Sequence, residues 1–187
     1  MHLIDPVDFH LQQAMSYAAE SGIPLASVVR GDARQLDIPC GNRLQALREA
    51  WRILKAQGVL LASAISRFAS LIDGLSSGFF REAEFRKIVA ADLASGQHRN
   101  PTNHPAYFTT AYFHRPEDLA VELRDAGFAE IQILAVEGPA WSAALFSEAW
   151  NDPAQRQSLM EFLSSIEREP SVQGASAHLI AVARRPN

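Results

Sequence analysis

At 187 residues, with 48% apolar and 20% charged side chains, the chain has the make-up of one globular domain with a real core. The formal net charge is −4 and no run of lysine or arginine forms a stripe, which argues against a nucleic-acid backbone as the main partner. No apolar stretch approaches the ~18–20 residues of a membrane span, and the N-terminus lacks a basic segment followed by an apolar one. The expectation is a soluble, cytoplasmic protein with no membrane and no nucleic-acid partner, and a homo-oligomer stays open. Cys40 is the only cysteine, so no intrachain disulfide can form.

In chain order, residues 1–6 form a short apolar run closed by Asp5-Pro6 and predict a strand. Residues 9–20 predict a helix stopped at Ser21-Gly22, and residues 25–30 a second strand closed by Gly31-Asp32. A polar turn at 35–41 leads to a helix in which Leu44, Leu47, Trp51 and Leu54 share one face. Gly58 ends it. Residues 59–65 are almost continuously apolar, as in a strand covered on both faces.

Two helical segments around Gly74 and Gly78 follow, and then a polar stretch at 95–110 that reads as a long loop or lid. Tyr107, Phe108, Tyr112, Phe113 and His114 form an aromatic cluster. Pro116 in a first turn, Glu117 and Asp118 beside it and Gly127 at the end bound another helix, with Leu119 and Leu123 on its apolar face. Residues 129–137 alternate as a strand. Asp152-Pro153 caps a helix with Leu159, Phe162, Leu163 and Ile166 as its inward stripe. Residues 170–174 read as a loop and 178–183 as a final strand. Strands alternating with helices in this rhythm predict an α/β domain with a largely parallel sheet.

The segment LREAWRILKAQGVLLASAIS resembles the fourth helix and fifth strand of the class I S-adenosylmethionine (SAM)-dependent methyltransferases. MHLIDPVDFHLQQA is similar to that family's second strand and next helix, VVRGDARQLDIP to its third strand, FTTAYFHRPEDLAVELRDAGFAEIQILAVEGPAW to its last helix and sixth strand, and HLIAVARRP to its seventh. The nearest resemblance is to small-molecule methyltransferases of the ubiquinone/menaquinone-biosynthesis type. It implies a Rossmann-like sheet with an antiparallel last strand, SAM as cofactor and a small-molecule acceptor.

Residue by residue, the resemblance assigns Asp5 to the ribose hydroxyls, Asp32 to the adenine amino group and the backbone of Ala33 to the adenine ring. On the acceptor side it assigns Tyr107 and Tyr112, with His114 as a general base, a role suited to a group whose ordinary pKa of ~6.5 lies near neutrality. Glu137 borders this region but reads better as a solvated turn. His98, His104 and His114 are spaced too irregularly for a metal site.

Two parts of the family pattern have no counterpart in these residues. No G-x-G occurs anywhere, and Asp37-Ile38-Pro39 runs almost directly into the helix at Asn42, where relatives place their fourth strand. The expectation is a single, incomplete methyltransferase-like domain over 1–187 whose sheet lacks the first and fourth strands and closes in the order 3-2-5-7-6. Residues 59–65 would then lie parallel to residues 1–5. SAM binding would be weak, and the alternative to an enzyme is a non-catalytic remnant acting as a binding or interaction module.

Overall fold

A computed structural model describes residues 2–5, 8–22, 27–30 and 43–187. The chain divides into two compact units, residues 1–50 and 51–187. Asp32 and Ala33 lie outside the described residues.

In the first unit, strand β1 (His2–Asp5) pairs in parallel with β2 (Ser27–Arg30), joined through helix α1 (Asp8–Glu20). A parallel pair needs such a crossover, and this one is the smallest strand–helix–strand unit. Asp5 is in register with Arg30, at the carboxyl end of both strands. In α1, Leu11 and Ala18 are buried seven residues apart, two helical turns along one face. Helix α2 (Arg43–Ile53) begins in this unit and ends in the second.

The second unit carries a five-stranded sheet. Its elements are β3 (Val59–Ser66), α3 (Ala69–Ser76), α4 (Ala83–Ser95), β4 (Gln97–His98), β5 (Ala111–His114), α5 (Pro116–Asp125), β6 (Ala129–Ala135), α6 (Phe146–Asn151), α7 (Pro153–Ile166), α8 (Pro170–Gln173) and β7 (His178–Arg184). The strand order is β4-β5-β3-β7-β6. β7 is antiparallel to both β3 and β6, from Val59↔Arg184 to Ile65↔His178 on one side and from Ala129↔Arg184 to Ala135↔Leu179 on the other. The 5-7-6 arrangement with an antiparallel last strand is therefore present as β3-β7-β6.

The direct pairing of residues 59–65 with residues 1–5 is not among the ladders of the described residues. β1 pairs with β2, and the second edge of β3 takes β5 at Ile65↔Phe113 and Ser66↔His114. The aromatic segment before α5 is thus a strand in its own right, paired with the carboxyl end of β3. The apolar run at 59–65 is also not covered on both faces, since Val59 and Leu61 are exposed.

Burial follows the pattern of the sequence in β7, where Leu179, Ala181 and Ala183 alternate as almost fully buried positions. Leu119 and Leu123 of α5 join them in the core. Helix α5 ends as its composition requires: Gly127 has φ +97° and its N–H donates to the Arg124 carbonyl at 2.9 Å. Asp152 caps α7 by accepting from the N–H groups of Ala154 and Gln155, both at 2.9 Å. Of the stripe expected on α7, Leu159, Leu163 and Ile166 are half-buried and Phe162 is exposed, while residues 170–173 form a short helix and not a loop. The end of α2 is held by Arg185, which donates to the carbonyls of Trp51 at 3.1 Å and of Leu54 and lies 4.0 Å over the Trp51 ring.

Gly96 closes α4 at φ +73°, and a Cβ there would collide with the Phe113 carbonyl oxygen. Gly78 has φ +82°, and a Cβ there would meet nothing within 4 Å. Left-handed backbone costs a non-glycine residue about 1–3 kcal/mol. Gly78→Ala should lose no more than that, and Gly96→Ala clearly more, because it also drives β5 away from α4. Urea unfolding of both variants checks this, and equal losses would show that the close approach is unimportant.

Candidate functional site

Because β7 runs against its neighbours, the carboxyl ends of β3, β5 and β6 and the amino end of β7 share one edge of the sheet. A cleft of ≈ 370 Å³ opens at that edge, and its described lining residues all belong to the second unit. Its floor is Ile65 and Phe113 from the strand ends. Its walls are Phe85 of α4, Trp141 from a 3-10 turn at Gly138–Ser142, and the segment from Pro105 to Phe108. The polar groups reaching it are Ser70, Asp73, His98, Glu137 and His178. Among the described residues no arginine, lysine or glycine lines it.

The segment at 95–110, expected as a polar loop, is a wall of this cleft because a buried ion pair fastens it. His98 is 2% exposed and Asp92 fully buried. Nδ1 of His98 lies 2.8 Å from Asp92 Oδ2, and Nε2 lies 2.8 Å from the Tyr107 carbonyl. A carbonyl only accepts, so Nε2 carries a proton; with a carboxylate at Nδ1, both nitrogens donate and the ring is an imidazolium. Burial alone would push this histidine down, but the hydrogen bond to Asp92 and the Tyr107 carbonyl bring it above its ordinary value. The ring also stacks on Phe113 at 4.6 Å. His98 thereby ties α4, β5 and the 105–108 segment together.

Tyr107 is buried against Phe85, Ile88 and Val89, and its hydroxyl donates to Glu82, which holds its pKa at about 12. It lines the cleft with its ring and not with an ionisable group. Phe108 follows at φ +64°, ψ −176°, a backbone region that belongs almost wholly to glycine, with its carbonyl held by Asn100 Nδ2 at 3.0 Å.

A second polar group sits across from this wall. Glu137 follows β6, and His178 opens β7. The His178 Nδ1 lies 2.5 Å from Glu137 Oε1, while Glu137 Oε2 accepts from the His178 backbone N–H at 3.1 Å. The buried Ser176 hydroxyl stands 3.0 Å from the same Oε2 and accepts from the N–H of Gly138 at 3.1 Å. Burial would raise Glu137, but the His178 ring beside it brings it below the usual carboxylate range; the same bond raises His178. Glu137 is therefore a fixed member of a hydrogen-bonded corner and not a solvated turn.

The residues singled out from the sequence are distributed as follows. Tyr107 lines the cleft. Tyr112 does not; its hydroxyl lies 3.0 Å from Arg67 Nη2, whose guanidinium also donates to the Phe113 carbonyl and pairs with Asp118 at 3.2 Å. His114 ends β5, is buried, and sets Nε2 3.1 Å from Glu122 Oε2; it is not a lining residue. Asp5 belongs to the first unit. The parts played by His98, Asp92, Ser176 and His178 escaped the sequence reading. The signal for one pair was there: an antiparallel β7 beside β6 must bring the start of one strand to the end of the other. Among the described residues no group of three or more His, Cys, Asp or Glu side chains could hold a metal ion, and no helix is long and apolar enough to cross a membrane.

His98→Gln should destabilise the protein by about 3–5 kcal/mol, since it leaves the buried Asp92 carboxylate without its cation. The histidine is raised on folding, so its contribution is complete below pH ~6.5 and fades as pH rises through the folded-state value. Thermal unfolding of the wild type should therefore lose midpoint temperature above pH ~6.5, and that part of the slope should vanish in His98→Gln. An unchanged slope would mean that His98 is not charged.

No family model matches the chain, and no curated protein does. Among solved structures it is similar to a "putative methyltransferase" of Bacillus halodurans C-125, at 18% identity over 100% of this chain and 83% of that one, with a TM-score of 0.41. It is similar to a protein of Bordetella parapertussis described as a possible exported protein, at 16% identity over 100% and 53%, with a TM-score of 0.43. A third is a SAM-dependent methyltransferase of Thermotoga maritima, described as a possible histamine N-methyltransferase, at 16% identity over 98% and 72%, with a TM-score of 0.41.

Proposed function

We propose that this chain is a methyltransferase-type protein, that the cleft of residues 51–187 receives a small, largely apolar acceptor molecule, and that the chain by itself holds SAM weakly. The observation that carries the reading is the position of the cleft. Ligands of open α/β sheets bind beyond the carboxyl ends of the strands, and this cleft opens where β3, β5 and β6 end. Its lining suits an acceptor better than the cofactor. A flat apolar molecule fits between Phe85, Phe113 and Trp141, with a few polar groups to orient it.

The methionine end of SAM needs glycines for close backbone approach, and this cleft is lined by none. Of the residues that the resemblance gives to the cofactor, Asp5 belongs to the first unit, and Asp32 and Ala33 lie outside the described residues. SAM would supply an electrophilic methyl group; the cleft residues would bind the acceptor, orient it and exclude water. The second reading is a small-molecule-binding module of the same lineage without methyl transfer, favoured by the apolar, aromatic lining of the cleft.

Isothermal titration tests the weak hold on SAM and the ligand cleft. SAM and S-adenosylhomocysteine should bind more weakly than micromolar, whereas 1-naphthol, a neutral apolar probe, should bind the wild type and quench tryptophan fluorescence. Ala106→Trp, at an exposed lining position, should lower naphthol affinity about tenfold, or about 1.4 kcal/mol. A micromolar SAM affinity would overturn the weak-cofactor reading, and naphthol binding untouched by Ala106→Trp would move the ligand site elsewhere.

A further inference from the structure

We propose that His178, oriented by Glu137, is the acid–base group of the cleft and takes the proton of a ligand hydroxyl bound there; this rests on the cleft being a ligand site. The arrangement is built for one nitrogen to be held and the other to act. Glu137 has both oxygens committed, Oε1 to His178 Nδ1 at 2.5 Å and Oε2 to the His178 N–H and the Ser176 hydroxyl. With Nδ1–H donated to the carboxylate, the lone pair of the neutral ring lies on Nε2. The His178 side chain is half exposed and lines the cleft. Both residues sit at the edge where the strands end, on a corner stiffened by the Ser176 hydroxyl, which also lies 2.8 Å from the His178 carbonyl.

The step is a proton transfer. The ligand O–H bond breaks and leaves its electron pair on oxygen. A new N–H bond forms at Nε2, and the resulting imidazolium stands between the oxyanion and Glu137. The charged and titratable groups around it are few: Glu137 after β6, Asp73 on α3, His98 on β4 and Tyr107 on the 105–108 wall. His98 is already committed to Asp92 and the Tyr107 carbonyl, and the Tyr107 hydroxyl to Glu82. That leaves His178 as the lining imidazole with a nitrogen to spare. With no arginine or lysine among the described lining residues, a ligand that arrives neutral and ionises in place is favoured over one that arrives as an anion. Glu137 acts here as a positioning residue that also favours the protonated ring, in keeping with the raised pKa of His178.

The test uses 4-nitrophenol, whose phenolate absorbs at longer wavelength than the phenol. Binding is measured by calorimetry and ionisation by absorbance across a pH series. The bound probe should ionise about tenfold more readily than the free one, because an imidazolium beside the oxyanion stabilises it. His178→Gln, a change at a half-exposed side chain, should abolish this gain and leave the bound probe's midpoint at or above that of the free probe, since burial beside Glu137 disfavours the phenolate. Glu137→Gln should shrink the shift and lower the His178 midpoint read by NMR of its ring. A bound probe that ionises as it does in water, or a shift that survives His178→Gln, would overturn the proposal while leaving the cleft a ligand site. No binding at all would overturn the reading of the cleft and the proposal with it.

Discussion

The constraint on which the second unit depends is the insertion of β7 between β3 and β6. Two parallel strands are separated by one that runs the other way, so a single ladder of main-chain hydrogen bonds fixes which residues meet at the working edge. Its first residue, His178, must lie where β3 and β6 finish. A slip of one residue would turn Leu179, Ala181 and Ala183 outward and carry His178 to the other face, so core burial enforces the register that assembles the site. The cost is contact order: β3 and β7 are more than a hundred residues apart, and β6 has no place in the sheet until the last strand is added.

Around that edge, polar groups are placed in two different ways. His98 and Asp92 serve structure. Their charges are out of water, both ring nitrogens are occupied, and the pair converts a stretch rich in Pro, Asn and His into a fixed wall. Glu137 and His178 are wet on one side. Their hydrogen bonds hold a direction without using up the outer nitrogen. The contrast between a closed pair and an open one, in a single cleft, is what gives the site a chemical side and a mechanical side.

Much of the fold was legible because it rests on local rules. Pro116, Glu117 and Gly127 bracket α5, Asp152-Pro153 starts α7, and the alternation of HLIAVA gives β7 its buried face. The segment Ala111–His114 was harder. It is four residues long, pairs with β3 at only two positions, and its aromatic content looks the same in a pocket wall as in a strand. The candidate site was less legible still. Asp92 and His98 are six apart, across a helix end set by Gly96, so no helical or strand spacing links them. Glu137 and His178 are 41 residues apart and meet only through the ladder. Of the acceptor-side residues read from the sequence, Tyr107 lines the cleft, while Tyr112 and His114 are engaged by Arg67 and Glu122.

The backbone at Phe108 has a consequence for how the cleft opens. A phenylalanine held in a glycine-like conformation stores about 1–3 kcal/mol that is recovered whenever the residue lets go. Asn100 holds its carbonyl, and His98, from β4, holds the carbonyl of Tyr107 before it. The strain offsets part of what those hydrogen bonds contribute, so the wall is held by less than its bonds alone would give. A ligand too large for the cleft would have to displace this wall, at a cost lowered by the strain stored at Phe108.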